Sequence, residues 1–94
     1  MKLYQVNQYQ YPKSVEDDWI NSLSAGDAVL LLEAGVLRAL SQPKLFNTLQ
    51  EKQVKLFWRQ TDLKAYGIQA ITGEAISDLE WVELTQEYSK IVAW

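Results

Sequence analysis

Ala25-Gly26-Asp27-Ala28-Val29-Leu30-Leu31-Leu32-Glu33-Ala34-Gly35-Val36 is the stretch that decides the fold of this chain. The Gly26-Asp27 pair is a turn signal, and it opens into five consecutive apolar residues, Ala28 to Leu32. A half-buried strand would alternate apolar and polar side chains. This run is apolar at every position, so it reads as a central parallel strand covered on both faces. A buried helix of five residues is too short to compete. Gly35 then allows a sharp backbone turn at the carboxyl end of the strand, where open α/β sheets place their sites.

Working outward from that strand, Met1 to Val6 carries Leu3, Tyr4 and Val6 and reads as a first short strand. Asn7 to Lys13 is a polar loop interleaved with Tyr9 and Tyr11 and stopped by Pro12. Ser14 is placed to cap a helix, with Asp17 three residues on as an approximate capping box. Val15, Trp19 and Leu23 recur at helical spacing as its buried stripe. Glu16, Asp17 and Asp18 suit the positive end of the helix dipole. Successive helical residues point in different directions, so these acids read as a solvated first turn rather than a metal cluster.

On the other side of the central strand, Val36 to Leu40 reads as a short helix ended by Ser41-Gln42-Pro43. Lys44 to Gln53 forms a second helical piece. Val54-Lys55-Leu56-Phe57-Trp58 is rich in β-formers and reads as the third strand. Thr61 or Asp62 is placed to cap a helix over Asp62 to Tyr66, and Gly67 stands where a left-handed residue ends one. A loop with Ile68 and Ile71 follows, then a weak strand over Glu74 to Ser77. The last helix, opened by Ser77 or Asp78, puts Trp81, Leu84 and Tyr88 on one face and Glu80, Glu83 and Glu87 on another. Those three acids read as a solvated face rather than a cation site or docking patch. The apolar ending Ile91-Val92-Ala93-Trp94 is either folded back onto the domain or covered by a partner. Strands alternating with helices imply a single α/β domain over residues 1–94. Its mostly parallel sheet would be the middle layer of a three-layer sandwich, with helices on both faces.

Composition excludes several kinds of chemistry. The chain of 94 residues has a net charge of −3, no cysteine and no histidine. Disulfides, a thiolate nucleophile, an imidazole base and Cys/His metal sites are therefore impossible. Its two arginines, Arg38 and Arg59, form no basic run, which argues against direct binding of nucleic acid or membrane surfaces. No apolar run approaches the ~20 residues of a membrane span, and a cytoplasmic location is expected. The Gly26-Asp27 turn lacks the glycine spacing and Lys-Ser/Thr of a phosphate loop. Glu33 and Arg59 at the strand ends are the remaining candidates for an enzyme, but they form no recognisable constellation. Four Trp and five Tyr are many for so small a domain. Their rings either rim the core or are covered by a partner.

Three segments carry a resemblance. Residues Gly26 to Val36 resemble the "GDALLLLxDGV" strand of the DsrH/TusB family of sulfur-relay subunits. Asp62-Leu63-Lys64-Ala65-Tyr66-Gly67-Ile68 resembles that family's "DLxARGL" segment. Trp81-Val82-Glu83-Leu84-Thr85 with Val92-Ala93-Trp94 resembles its "FVxLT…MAW" ending. The three lie in the family's order and span most of the chain. Three positions depart from the pattern. The family's early "LHT" is Leu3-Tyr4-Gln5, the Asp of "DGV" is Ala34, and the Arg of "ARG" is Tyr66. They mark a diverged member.

The resemblance implies a DsrE/DsrH-like fold and a place in a cytoplasmic heterohexamer with related DsrE/DsrF-type (TusC/TusD-like) subunits. Such complexes pass a persulfide sulfur between small sulfur-carrier proteins, and in the TusBCD branch it reaches the wobble uridine of certain tRNAs. Some DsrH proteins carry a cysteine in the first helix, which a gap-free count places near Trp19. Its absence agrees with the TusB type. Persulfide exchange requires a thiolate, so the expected role is a non-catalytic subunit without a cofactor. Trp94, Trp81 and Trp58 are its expected contacts with sister subunits. The alternative is a diverged stand-alone or homo-oligomeric binding or regulatory module that kept the fold and lost the relay.

Overall fold

The central apolar run is strand β2 (Ala28–Leu31), and all four of its residues are buried. The computed structural model describes residues 1–70 and 72–94. Ile71 lies outside them. β2 pairs in parallel with β1 (Lys2–Val6) on one side and β3 (Lys55–Arg59) on the other. β3 pairs with the short β4 (Glu74–Ile76), and β1 pairs with β5 (Lys90–Ala93), giving the parallel order β4-β3-β2-β1-β5.

That order dictates which face each helix covers. From β1 through β2 and β3 to β4 the chain steps always in one direction. Right-handed crossovers therefore put their helices on one face: α1 (Lys13–Asn21), α2 (Arg38–Ser41), α3 (Pro43–Glu51) and α4 (Gln60–Tyr66). The step from β4 back to β5 reverses direction, so α5 (Asp78–Glu87) lies on the opposite face. The core divides accordingly. Trp19, Leu45, Leu49 and Leu63 from the helices pack on Tyr4, Val6, Val29, Leu31 and Trp58. On the other side Leu84 and Tyr88 pack on Leu3, Ala28, Leu30 and Ile76.

The apolar ending is a strand, which its sequence does not announce. Four residues with no turn signal at either side gain their conformation only from pairing with β1, 88 residues earlier. Of the two fates open to this tail, the structure takes the first, folding back onto the domain.

Helix starts also differ from expectation. Ser14 is not the cap of α1; Pro12 occupies that position without a side-chain bond. Its carbonyl accepts from the N–H groups of Val15 and Glu16. Neither Thr61 nor Asp62 caps α4, which begins at Gln60. Ser77 does cap α5, in a reciprocal box with Glu80. Gly67 is left-handed at φ 66° as its position requires.

Gly35 serves a purpose other than the sharp turn expected of it. A Cβ there would lie 2.3 Å from the Val6 carbonyl oxygen, so glycine is needed for close approach to the end of β1. The left-handed residue at this strand end is instead Glu33, at φ 50°.

Candidate functional site

The carboxyl ends of the parallel strands carry two polar clusters. The first joins the loop after β1 to α1 and α2 around Arg38, which is 0 % exposed. Its guanidinium Nη2 donates to Glu16 Oε1 at 2.6 Å and Nη1 to Glu16 Oε2 at 3.0 Å. Nη1 also reaches Gln42 Oε1, and Nε donates to the Gln8 carbonyl. The plane lies 5.4 Å from the ring centroids of both Tyr11 and Trp19, a favourable setting for a desolvated cation. Glu16 further accepts from the Tyr11 N–H. Burial pushes the Glu16 carboxyl up, but these donors outweigh it and hold the group below the ordinary carboxylate range. Tyr11 in turn donates its hydroxyl to the Trp94 carbonyl at 2.8 Å. This pins β5 to the loop, and burial raises the phenol above its usual pKa.

This cluster corrects the expectation of three solvated acids. Asp17 and Asp18 are exposed, but the Glu16 side chain is mostly buried against Arg38. Nothing in local spacing links Glu16 to Arg38, 22 residues away, so only the tertiary fold exposes the pair.

The second cluster lies at the ends of β2 and β3. Asp62 Oδ2 accepts the Glu33 N–H at 2.7 Å and takes a longer bond of 3.4 Å from Arg59 Nη1. Arg59 Nε donates to Asp78 Oδ1 at 3.0 Å, and its guanidinium lies 5.3 Å from the Trp81 ring centroid. The bond from Arg59 lowers the Asp78 carboxyl, and the bond to Asp78 likewise raises Arg59. Arg59 is thus engaged by two carboxylates, and Glu33 offers an exposed side chain to solvent. The pair supplies no nucleophile next to a base.

The motif residues have structural occupations. Asp27, buried beneath the turn, accepts the N–H groups of Lys2 and Ser24, both at 2.9 Å. It fixes the start of β1 to the start of β2, while Asp62 fixes the end of β2 to α4.

The three tryptophans expected at subunit contacts part company. Trp58 is 0 % exposed, and its Nε1 donates to the Thr72 carbonyl at 2.6 Å. It is a core residue and cannot touch a partner, because β3 is a central strand whose Trp58 face lies under α3. Trp81 and Trp94 are half-buried, and Trp94 stacks on Tyr4 at 6.3 Å. Leu79 and Val82, three residues apart, are 69 % and 56 % exposed on the outer side of α5, whereas Trp81 turns toward Arg59 and the core. Glu80, Glu83 and Glu87 are exposed on the flank of α5 that faces β3 and β4.

Comparison with known proteins decides the relationship. The model of the family described as DsrH like protein matches residues 11–91. The chain belongs to the DsrH-like family. Protein TusB of Pectobacterium carotovorum subsp. carotovorum (strain PC1) is 33 % identical over 81 residues, covering 83 % of this chain and 85 % of that protein. Protein TusB of Shigella flexneri is 32 % identical over 78 residues, 77 % of this chain and 79 % of that one.

Solved structures place the fold. Protein Tm0979 from Thermotoga maritima superposes with a TM-score of 0.64 at 25 % identity, over 93 % of each chain. The ychN protein from E. coli gives 0.67 at 13 % identity, covering 100 % of this chain and 99 % of that one. The DsrH-like α/β fold expected from the central strand and the three motifs is therefore the one observed. No helix among the described residues is long and apolar enough to cross a membrane.

Proposed function

We propose that this DsrH-like chain is a non-catalytic, TusB-type subunit of a cytoplasmic sulfur-relay complex that supports persulfide transfer for tRNA wobble-uridine thiolation. The observation that carries the reading is the occupation of its motif carboxylates. Asp27 and Asp62 hold backbone N–H groups, so the residues most like the family's pattern build the fold. Sulfur transfer by persulfide exchange needs a thiolate, and the chain contains no cysteine. Its part is to shape the complex and the surface on which sulfur carriers dock, with the thiol on related TusC/TusD-like subunits.

The contact with sister subunits is assigned to α5. Leu79 and Val82, three residues apart on one side of the helix, form an exposed apolar pair, and the half-buried Trp81 is the aromatic on the adjoining side that faces Arg59. Trp94 stands at the other open border of the fold, the β5 edge. Replacing Leu79 and Val82 together by glutamate is expected to release sister subunits in co-purification while leaving thermal stability within a few degrees of the parent. An intact complex carrying both substitutions would remove α5 from the interface.

A stand-alone binding module of the same fold is the second reading. One feature favours it: an open, largely apolar groove lined by Ile20, Pro43, Leu45 and Thr48 beside α1 and α3. A chain that never enters a complex with cysteine-bearing relatives would decide for it.

A further inference from the structure

We infer that the open edge of β5 is a self-pairing surface, on which a second copy of this chain adds its own β5 in antiparallel orientation. The phase of the β1–β5 ladder sets which backbone groups point outward. Gln5 is opposite Ala93, and the Trp94 N–H donates to the Gln5 carbonyl at 3.1 Å. In a parallel ladder every second residue of one strand turns both its N–H and C=O toward the neighbour. Lys90, Val92 and Trp94 therefore face β1, and Ile91 and Ala93 aim their N–H and C=O groups outward. β5 is the last strand in the sheet order, so among the described residues those four groups have no strand to meet.

An unpaired edge is a template for another strand unless shortness, charge (lysine above all), proline or a bulge blunts it. β5 is short and starts on a lysine, but its outward-facing residues, Ile91 and Ala93, carry none of the other devices. Along Lys90–Ala93 the only charged side chain is Lys90, and there is no proline. Ile91 leaves 40 % of its surface exposed on the α5 face.

The edge is complementary to itself in one register. A two-fold axis through Val92 puts Ile91 opposite the second copy's Ala93 and Ala93 opposite its Ile91. Both are hydrogen-bonded pairs, so all four outward groups of each chain are satisfied together. Ile91 then covers the small Ala93 of its counterpart. Lys90 meets the other copy's Trp94, an aromatic neighbour for the one cation on the edge, with no like charge opposite. Such a two-fold contact is isologous and closes as a dimer, joining two five-stranded sheets into one of ten strands. A ladder of four residues is at the small end of interfaces, so the dimer should be concentration-dependent, forming at roughly tens of micromolar. This pairing does not rest on the relay reading, since it involves only copies of this chain.

The absence of native cysteine gives a direct test on the full chain. The two Val92 residues form a non-hydrogen-bonded pair with Cα atoms about 4.5 Å apart, within disulfide reach. The two Lys90 residues are offset by four positions, roughly 13 Å along the strand, and are out of reach. Under mild oxidation Val92→Cys is expected to give a covalent dimer at least tenfold faster than Lys90→Cys. Ala93→Pro removes one outward N–H and leaves the bonds to β1 intact. It is expected to raise the dimer dissociation constant of the otherwise unmodified chain at least tenfold in sedimentation equilibrium, with an unchanged near-ultraviolet spectrum. A parent chain that stays monomeric at several hundred micromolar would overturn the inference. So would equal crosslinking at the two cysteine positions, or a dimer that Ala93→Pro leaves untouched.

Discussion

Replacing Glu16 by alanine is expected to lower the free energy of unfolding by about 3–5 kcal/mol. Arg38 has no access to water, and Glu16 supplies two of its four side-chain hydrogen bonds. Without it a buried guanidinium is left uncompensated, in a domain whose whole stability is on the order of 5–15 kcal/mol. The effect carries a pH signature whose sign follows from the depressed Glu16 carboxyl. A group with its folded pKa below the unfolded value adds stability that is present in full above the unfolded carboxylate range. That stability is lost as pH falls through the folded pKa. The gap between the parent and Glu16→Gln, measured by urea denaturation, should therefore be widest near neutral pH and close below about pH 4. A gap that stays constant down to pH 3 would mean that Glu16 acts by packing and not by charge.

Trp58→Ala is the second large effect, expected to cost about 3–5 kcal/mol by leaving a cavity beneath α3. Phe46 packs against this indole with ring centroids 5.4 Å apart, and the Thr72 carbonyl loses its donor. The milder Trp58→Phe should melt earlier than the parent yet bind sister subunits with unchanged affinity while folded. Trp81→Ala should do the reverse, weakening the complex with little change in melting temperature. Calorimetry paired with co-purification separates the two. A Trp58 variant that kept its stability and lost its partners would return this residue to the surface.

The parts of the fold that could be read from sequence were those set by local pattern. Five apolar residues in a row fixed β2 as central, Gly67 marked the end of α4, and Ser77 with Glu80 marked the start of α5. What stayed hidden depends on distant pairing. β5 becomes a strand only beside β1. Gly35 looks like a turn residue until Val6 is placed against it. Trp58 lay in a recognised strand, but whether its ring faced a partner or the core was settled by α3 packing over that face. The site followed the same division. Asp27 and Asp62 lie inside the recognised motifs, but nothing in those motifs showed which backbone groups they would hold, and the Glu16–Arg38 pair joins two helices with no shared motif. Both clusters tie the strand ends together, which fits the role proposed for the chain, a non-catalytic subunit.

Native mass spectrometry of this chain, co-expressed with its neighbouring genes, tests that central claim most directly. A complex containing two related, cysteine-bearing subunits beside the cysteine-free chain is the predicted result. A spectrum with only the monomer and the self-paired chain, in the presence of those gene products, would contradict it.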